Sequence, residues 1–323
     1  DKKGTEIQPG QRLGPINEGS PLTLSCLVEG GRPPPTVSWF GSKIMLEDQT
    51  VVVTRSNYIQ ADLVLPELTR SDHLKTFTCH AKNNNKINPL KQDVIIDMNL
   101  RPLSTKIILP ESSLVANSTA DFTCESQGSK PQAQIRWKIN GEYMDPTLAQ
   151  QSSAGGDVTT SKLQLVPQAE DNNATITCEA HNPRMQVKPI KDDKRINVQY
   201  QPMVGLRLGK SIDHSNIKQG DDVYFECKVD SNPEPTRVVW YRDDQEIRLD
   251  KSGGVIVQDT SLALQNLHRK SAGSYQCTAT NYLGTTHSNA VDLDVKYAPV
   301  CMVDQPTVLA VGRGEKVDIS CRV

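Results

Sequence analysis

Four cysteines recur at nearly one interval: Cys26, Cys124, Cys227 and Cys321 lie 98, 103 and 94 residues apart. Self-similarity at a near-fixed period constrains a fold strongly, because each repeat must be one structural unit stacked or strung beside the next. After each of the first three cysteines a tryptophan follows at 13 residues: Trp39, Trp137 and Trp240. A second cysteine then closes each unit, Cys79, Cys178 and Cys277, and each continues as C-x-A-x-N. The continuations supply Ala81 and Asn83, Ala180 and Asn182, and Ala279 and Asn281. Paired leucines one strand period apart stand before them: Leu63 and Leu65, Leu163 and Leu165, Leu262 and Leu264. Seven residues before each first cysteine sits Gly19, Asn117, Gly220 or Gly314. Glycine and asparagine share the ability to hold φ > 0, so that backbone conformation is expected there.

The third repeat states the pattern most fully. Residues 273–284, GSYQCTATNYLG, alternate as a half-buried strand, with Tyr275, Cys277 and Ala279 inward and Gln276 and Thr278 outward. A cysteine, a tryptophan packed on the bridge it forms, and a tyrosine two residues before the second cysteine mark an immunoglobulin-type β-sandwich. In such a corner the Tyr275 hydroxyl bonds back to nearby backbone. Phe77 and Ile176 stand at the same place in the first two repeats, inward-facing and without a hydroxyl. The expected fold class is all-β: tandem immunoglobulin-like (I-set or C2-type) β-sandwiches in an extended rod. The modules span 1–100, 101–199 and 200–297, and 298–323 is the truncated start of a further one.

The repeat pairs the cysteines as Cys26–Cys79, Cys124–Cys178 and Cys227–Cys277, each bridge buried beside its tryptophan. Each closes a loop of roughly 50 residues, for which the chain-entropy model gives about 4 kcal/mol. Aromatic residues make up only 5% of the chain, so the cores are small and the bridges matter to them. Asn140-Gly141 is the two-residue hairpin signal. The joints Leu100-Arg101-Pro102-Leu103, Tyr200-Gln201-Pro202 and Tyr297-Ala298-Pro299 are short, and proline stiffens each. That is the basis for expecting a rod.

Chemistry is absent from the motifs. The 36 basic and 38 acidic side chains are interspersed, with no basic run to hold nucleic acid or an anionic lipid surface. No C-x-x-C pair, H-E-x-x-H or nucleophile motif occurs, so no metal, no cofactor, no small-molecule substrate and no enzyme activity is expected. Gly205-Leu206-Arg207-Leu208-Gly209-Lys210-Ser211 is one residue too short for a phosphate loop. Arg313-Gly314-Glu315 and Leu293-Asp294-Val295 read as a turn and a strand rather than adhesion tripeptides. His80 and His181 flank strand cysteines and read as satisfied surface positions, and Asp243, Asp244 and Glu246 as a solvated hairpin tip. Asn117-Ser118-Thr119 and Asn173-Ala174-Thr175 are N-glycosylation acceptors expected to face solvent. Eight cysteines at such spacing imply an oxidising compartment. The sequence shows neither a leader peptide nor an apolar run of the ~20 residues a membrane span needs. An ectodomain fragment on the extracellular side of the plasma membrane, its leader and anchor outside these residues, is the expected setting.

Several stretches resemble one family. Residues 13–19 (LGPINEG), 30–35 (GGRPPP), Asn83-Asn84-Asn85 and 98–103 (MNLRPL) are similar to the second immunoglobulin domain of the Sidestep family. Tyr297-Ala298-Pro299-Val300-Cys301 is similar to that family's entry into its fifth domain. The resemblance implies domains two to four plus the start of five of an arthropod type I membrane protein. Such a protein is a cell-surface cue for axon guidance whose partners are Beaten path receptors on opposing cells. It further implies that the missing upstream domain carries most of the binding and that this stretch is mainly stalk. Another immunoglobulin-superfamily adhesion protein, or the ectodomain of an enzyme-linked receptor, would share the same features. A cytosolic scaffold of such modules fits the complete cysteine pairs and acceptor sites less well. Cys301 and Cys321 are expected to be unpaired with each other: Cys321 is the strand B cysteine of its repeat, whose strand F partner lies beyond Val323, and Cys301 lies near the start of strand A. For Cys301 the resemblance implies a bridge to a later cysteine, also absent.

Overall fold

The computed structural model describes residues 6–8, 10–47, 50–54, 58–153, 157–209, 215–299 and 310–316. Cys301 and Cys321 lie outside the described residues. The chain divides between Asn197 and Val198 into two compact units.

The first unit holds two sandwiches. Strands β1 (Arg12–Asn17), β2 (Leu22–Glu29), β3 (Thr36–Gly41), β4 (Ile44–Met45), β5 (Thr50–Thr54), β6 (Tyr58–Leu65), β7 (Thr76–Lys82) and β8 (Leu90–Asn99) build the first. One sheet runs β1-β8-β7-β3-β4 and the other β2-β6-β5. Alternation makes these strands: in β6, Ile59, Ala61, Leu63 and Leu65 are buried, with Gln60, Asp62 and Val64 between them on the outer face. The second sandwich comprises β9 (Ser104–Ile108), β10 (Leu114–Val115), β11 (Ala120–Gln127), β12 (Gln134–Ile139), β13 (Glu142–Tyr143), β14 (Ala149–Ser153), β15 (Val158–Leu165), β16 (Thr175–His181) and β17 (Ile190–Arg195). Its sheets run β14-β15-β11-β9 and β13-β12-β16-β17.

The second unit contains β18 (Val198–Leu208), β19 (Val223–Asn232), β20 (Arg237–Arg242), β21 (Gln245–Glu246), β22 (Val255–Gln258), β23 (Ser261–Leu264), β24 (Gly273–Asn281), β25 (Gly284–His287) and β26 (Val291–Leu293). Within this unit one sheet runs β18-β19-β23-β22, and the other runs β21-β20-β24-β25 with β26 also on β24. Its core gathers Phe225, Trp240, Leu262, Leu267, Tyr275 and the cystine sulfurs.

The repeated positions behave alike for a common reason. Each tryptophan is directly opposite a cysteine across the ladder: Trp39 with Cys79, Trp137 with Cys178, Trp240 with Cys277. Facing residues of a sheet share a side, so this register alone lays the indole against the bridge. Gly19, Asn117, Gly220 and Gly314 all hold positive φ, between 63° and 97°. Tyr275 makes the expected corner, its hydroxyl donating to the Ser271 carbonyl at 2.7 Å.

Three details differ from the sequence reading. Thr278 is buried, because Val239 and His287 face it from both flanking strands and cover the outer side. Leu165 and Ala81 are only half-buried, at the last position of β15 and the next-to-last of β7. The Asn140-Gly141 turn has both residues at φ > 0, and so do Ser42-Lys43 and Asp243-Asp244, which carry no glycine. Such turns match the right-handed twist of the strands they join. With register already set by the tryptophan–cysteine pair, the twist imposes the turn even where no glycine is present.

Candidate functional site

The structural sites come first. The sulfurs of Cys26 and Cys79, Cys124 and Cys178, and Cys227 and Cys277 are bonded, with Cα separations of 6.4, 6.5 and 6.3 Å. Five of these cysteines are buried, but Cys26, against expectation, is only half-buried, because β2 has no buried residue beyond Leu24. All three tryptophans are buried, and each indole N–H finds an acceptor: the Ala61 carbonyl at 2.8 Å, Ser161 Oγ at 3.0 Å and the Asp259 carbonyl at 3.2 Å. Asn117 and Asn173 are exposed and both sit at positive φ. Their backbone amides tie to the Pro167 and Ile196 carbonyls, which leaves each side chain projecting from a fixed turn.

The asparagine of C-x-A-x-N is more than a turn residue. Asn182 is fully buried, and its Nδ2 donates to the Leu100 carbonyl at 2.8 Å and the Lys130 carbonyl at 2.7 Å. Its Oδ1 accepts from the Arg184 amide at 2.8 Å. Asn281 repeats this, donating to the Tyr200 carbonyl at 2.8 Å and the Pro233 carbonyl at 3.3 Å, and accepting from the Leu283 amide at 3.0 Å. One side chain thus fastens three loops at the end of the module. Asn83 does not: it is exposed, and its Oδ1 accepts from Asn84 Nδ2 at 2.8 Å.

Between the two sandwiches of the first unit lies a polar clamp. Leu100 and Lys130 exchange backbone hydrogen bonds of 2.7 and 3.0 Å. Arg70, at the corner between β6 and β7, donates to the carbonyls of Gly128 and Arg101 at 2.5 Å each and to Glu18 at 3.1 Å. Glu18 also accepts from the Arg101 amide at 3.0 Å. Gly128 holds φ 88°, and a Cβ there would lie 2.8 Å from Leu103 Cγ. Lys130 Nζ reaches Asp97 at 2.7 Å and His73 Nε2 at 3.1 Å, and His73 Nδ1 takes the Met98 amide at 3.2 Å. The Lys130 hydrogen bond holds the Asp97 carboxyl below the usual carboxylate range. Burial holds His73 below the ordinary imidazole value, and the Lys130 charge adds to that while Asp97 opposes it. No spacing in the sequence announces Arg70, Glu18 or Lys130, because residues of three separate loops meet only after folding.

The outer sheet faces differ in chemistry. On the second module Lys138 pairs with Glu179 at 2.6 Å, beneath the ring of Tyr143, whose hydroxyl also donates to Glu179 at 3.1 Å. Partial burial disfavours the Glu179 carboxylate, but those two donors outweigh it and hold its pKa below the ordinary value. On the first module the equivalent face carries Phe40 against His80, ring centres 4.2 Å apart and planes tilted by 31°, beside exposed Ile44 and Met45. Burial, then Lys91, holds His80 below the ordinary imidazole value, and burial followed by Arg136 does the same for His181. Residues 205–208 run inside β18 with no loop to cradle a phosphate, and Lys210 and Ser211 fall outside the described residues. Leu293 and Val295 are buried, while Arg313, Gly314 and Glu315 form an exposed turn. Asp243 and Asp244 make the β20–β21 turn, with Asp243 Oδ1 accepting from the Ser274 amide at 2.9 Å. Among the described residues no cluster of histidine, cysteine and carboxylate is placed to hold a metal ion, and no helix is long and apolar enough to cross a membrane.

Comparison with known proteins agrees with this geometry along the chain. An immunoglobulin domain model matches residues 5–83, a CD80-like C2-set immunoglobulin domain model residues 106–189, and an immunoglobulin I-set domain model residues 206–295. The chain is built of tandem immunoglobulin domains. Human nephrin is 25% identical over 336 residues, covering 97% of this chain and 26% of nephrin. Mouse nephrin is covered over 19% of its length, so the chain spans about a quarter or less of these relatives. Mouse cell adhesion molecule 3 is 24% identical, covering 87% of this chain and 70% of that protein. Among solved structures, the mouse nectin-like molecule 4 full ectodomain (Ig1–Ig3) superposes with a TM-score of 0.61 at 16% identity, covering 90% of this chain and 98% of that one. The titin I-band fragment I67–I69 gives 0.52 at 19% identity over 90% of this chain. At those identities the immunoglobulin fold is the shared property.

Proposed function

We propose that this chain is the non-catalytic, extracellular part of a cell-surface recognition protein, engaging protein partners on opposing cells. One observation carries the reading: three immunoglobulin modules, each locked by a cystine beside a buried indole, resemble nephrin and cell adhesion molecule 3 across 97% and 87% of the chain. Cystines of this kind belong to oxidising compartments. Exposed acceptor asparagines on rigid turns fit a glycosylated surface, and interspersed charge fits a protein partner better than a polyanion. The finer reading is a Sidestep-type ectodomain that serves axon guidance through Beaten path receptors, with the outermost contact made by a domain upstream of Asp1. It is supported by the motif order from Leu13 to Cys301.

Surface plasmon resonance on immobilised Beaten path ectodomains tests the finer reading. This chain should bind weakly, and a chain extended by the upstream domain much more tightly. Equal affinity of the two would place the binding surface within residues 1–323 and end the stalk reading. Absence of binding by both, with selective attachment of either to another cell type, would retain the recognition role and reject the Sidestep assignment.

A further inference from the structure

The free edge of the first module is a surface of another kind. Among the described residues β5 is the outermost strand of its sheet, paired on one side to β6. An edge strand presents unpaired N–H and C=O groups along its open side, and proteins ordinarily blunt it with charge, proline or a bulge. β5 reads Thr-Val-Val-Val-Thr and has none of these. Val51 is 56% exposed and Val52 51%, and across the sandwich edge Ile44 is 69% and Met45 44% exposed. Between them lies a cavity of about 140 Å³, lined on its apolar side by Val37, Trp39, Met45, Leu46 and Val52 and on its polar side by Ser38 and Glu47. The corresponding edges differ: β14 is Ala-Gln-Gln-Ser-Ser, and β22 is one residue shorter with its valines and isoleucine half-buried.

The β5 sequence also reads the same in both directions. Paired antiparallel with its own copy, it sets Val52 against Val52, Val51 against Val53 and Thr50 against Thr54. That is the self-complementarity an isologous two-fold contact requires. Opposed residues of an antiparallel pair share one face. Val52 is in register with buried Ala61, so both copies of Val52 would extend the apolar wall of the cavity.

We propose that two copies of this chain associate through antiparallel pairing of their β5 strands, centred on Val52. A second copy fits better than an unrelated strand, because every cross-strand pair is then matched in shape and polarity. A five-residue strand pair covers far less than the ~1,200–2,000 Å² of a stable interface. The contact is therefore weak between free molecules and gains strength where copies are arrayed at high local concentration. This homophilic contact goes beyond the recognition role above and does not depend on which receptor is bound.

Cysteine trapping on the full chain tests it. Val52→Cys, mildly oxidised at high protein concentration, should give a 52–52 disulfide located by non-reducing peptide mapping, since directly opposed strand residues meet the geometry of a bridge. It should form about tenfold faster or more than a 64–64 link in Val64→Cys, whose exposed site is on β6, one strand in from the edge. Val51→Cys alone should link slowly, while a mixture of Val51→Cys and Val53→Cys chains should yield a 51–53 bridge. A 52–52 link no faster than 64–64, or self-linking of Val51→Cys as fast as that of Val52→Cys, would overturn the proposal.

Discussion

Replacing Asn182 by alanine removes three hydrogen bonds at a fully buried position: two donated by Nδ2 and one accepted by Oδ1. Net worth per neutral bond is about 1 kcal/mol. The two carbonyls are not orphaned, because the Leu100 and Lys130 backbones still bond each other. The expected loss is therefore about 3 kcal/mol, three bonds without an added desolvation penalty. The repeat supplies its own controls. Asn281→Ala should cost the third module a similar amount, slightly less because its contact to Pro233 is long at 3.3 Å. Asn83→Ala removes an exposed side chain bonded to its neighbour and should stay within about 0.5 kcal/mol. Several modules in one chain break two-state behaviour, so a local readout is needed. Hydrogen exchange followed by mass spectrometry resolves peptides of β12 and β16, where 3 kcal/mol appears as a rise of about 150-fold in opening. An Asn83→Ala loss equal to that of Asn182→Ala, or no loss of protection from Asn182→Ala, would refute the reasoning.

Other outcomes follow from the clamp and the corner. Arg70→Ala should loosen the first unit by about 2 kcal/mol, the Glu18 and carbonyl contacts being charge-assisted but partly solvent-screened, with Arg70→Lys recovering only part. Exchange of the Leu100 and Lys130 amides reads this directly. His73 has a folded-state pKa below its ordinary 6.5. The unfolded chain therefore takes the proton first, and the joint's stability, full above about 6.5, is lost as pH falls towards the folded value. Protection of the Met98 amide should drop between pH 7.5 and 5.5, and His73→Gln should flatten that dependence. Tyr275→Phe should destabilise the third module by about 1 kcal/mol in urea, measured on peptides of β24. Enzymatic removal of N-glycans from protein secreted by animal cells should lower its mass, and Asn117→Gln with Asn173→Gln should abolish that shift.

Legibility followed the range of the interactions. Period-two burial, the left-handed turns at Gly19, Asn117, Gly220 and Gly314, and the Tyr275 corner are set within a few residues, so the sequence displays them. The tryptophan–cysteine pairing is long-range, yet repetition exposes it three times over. What repetition hides is the departure from it. The same asparagine is an anchor at 182 and 281 and an exposed residue bonded to its neighbour at 83, a difference made by loops 52 to 82 residues distant in sequence. The Arg70 clamp is silent for the same reason, since its acceptors are backbone carbonyls, which every residue owns. Ser42-Lys43 conceals its turn because strand twist, rather than local preference, decides it, whereas Asp243-Asp244 is legible as a hairpin tip.

The left-handed turn before the first cysteine strand has a consequence for how a chain of this type changes over time. Two residue kinds occupy it without strain, and only one of them can accept a sugar. At Asn117 the next residues complete the acceptor; at Gly19, Gly220 and Gly314 the backbone is the same and the attachment point is absent. Carbohydrate can therefore be gained or lost at this corner while the turn's geometry stays intact. Which modules are shielded and which left bare becomes a trait that can drift freely over a scaffold that does not.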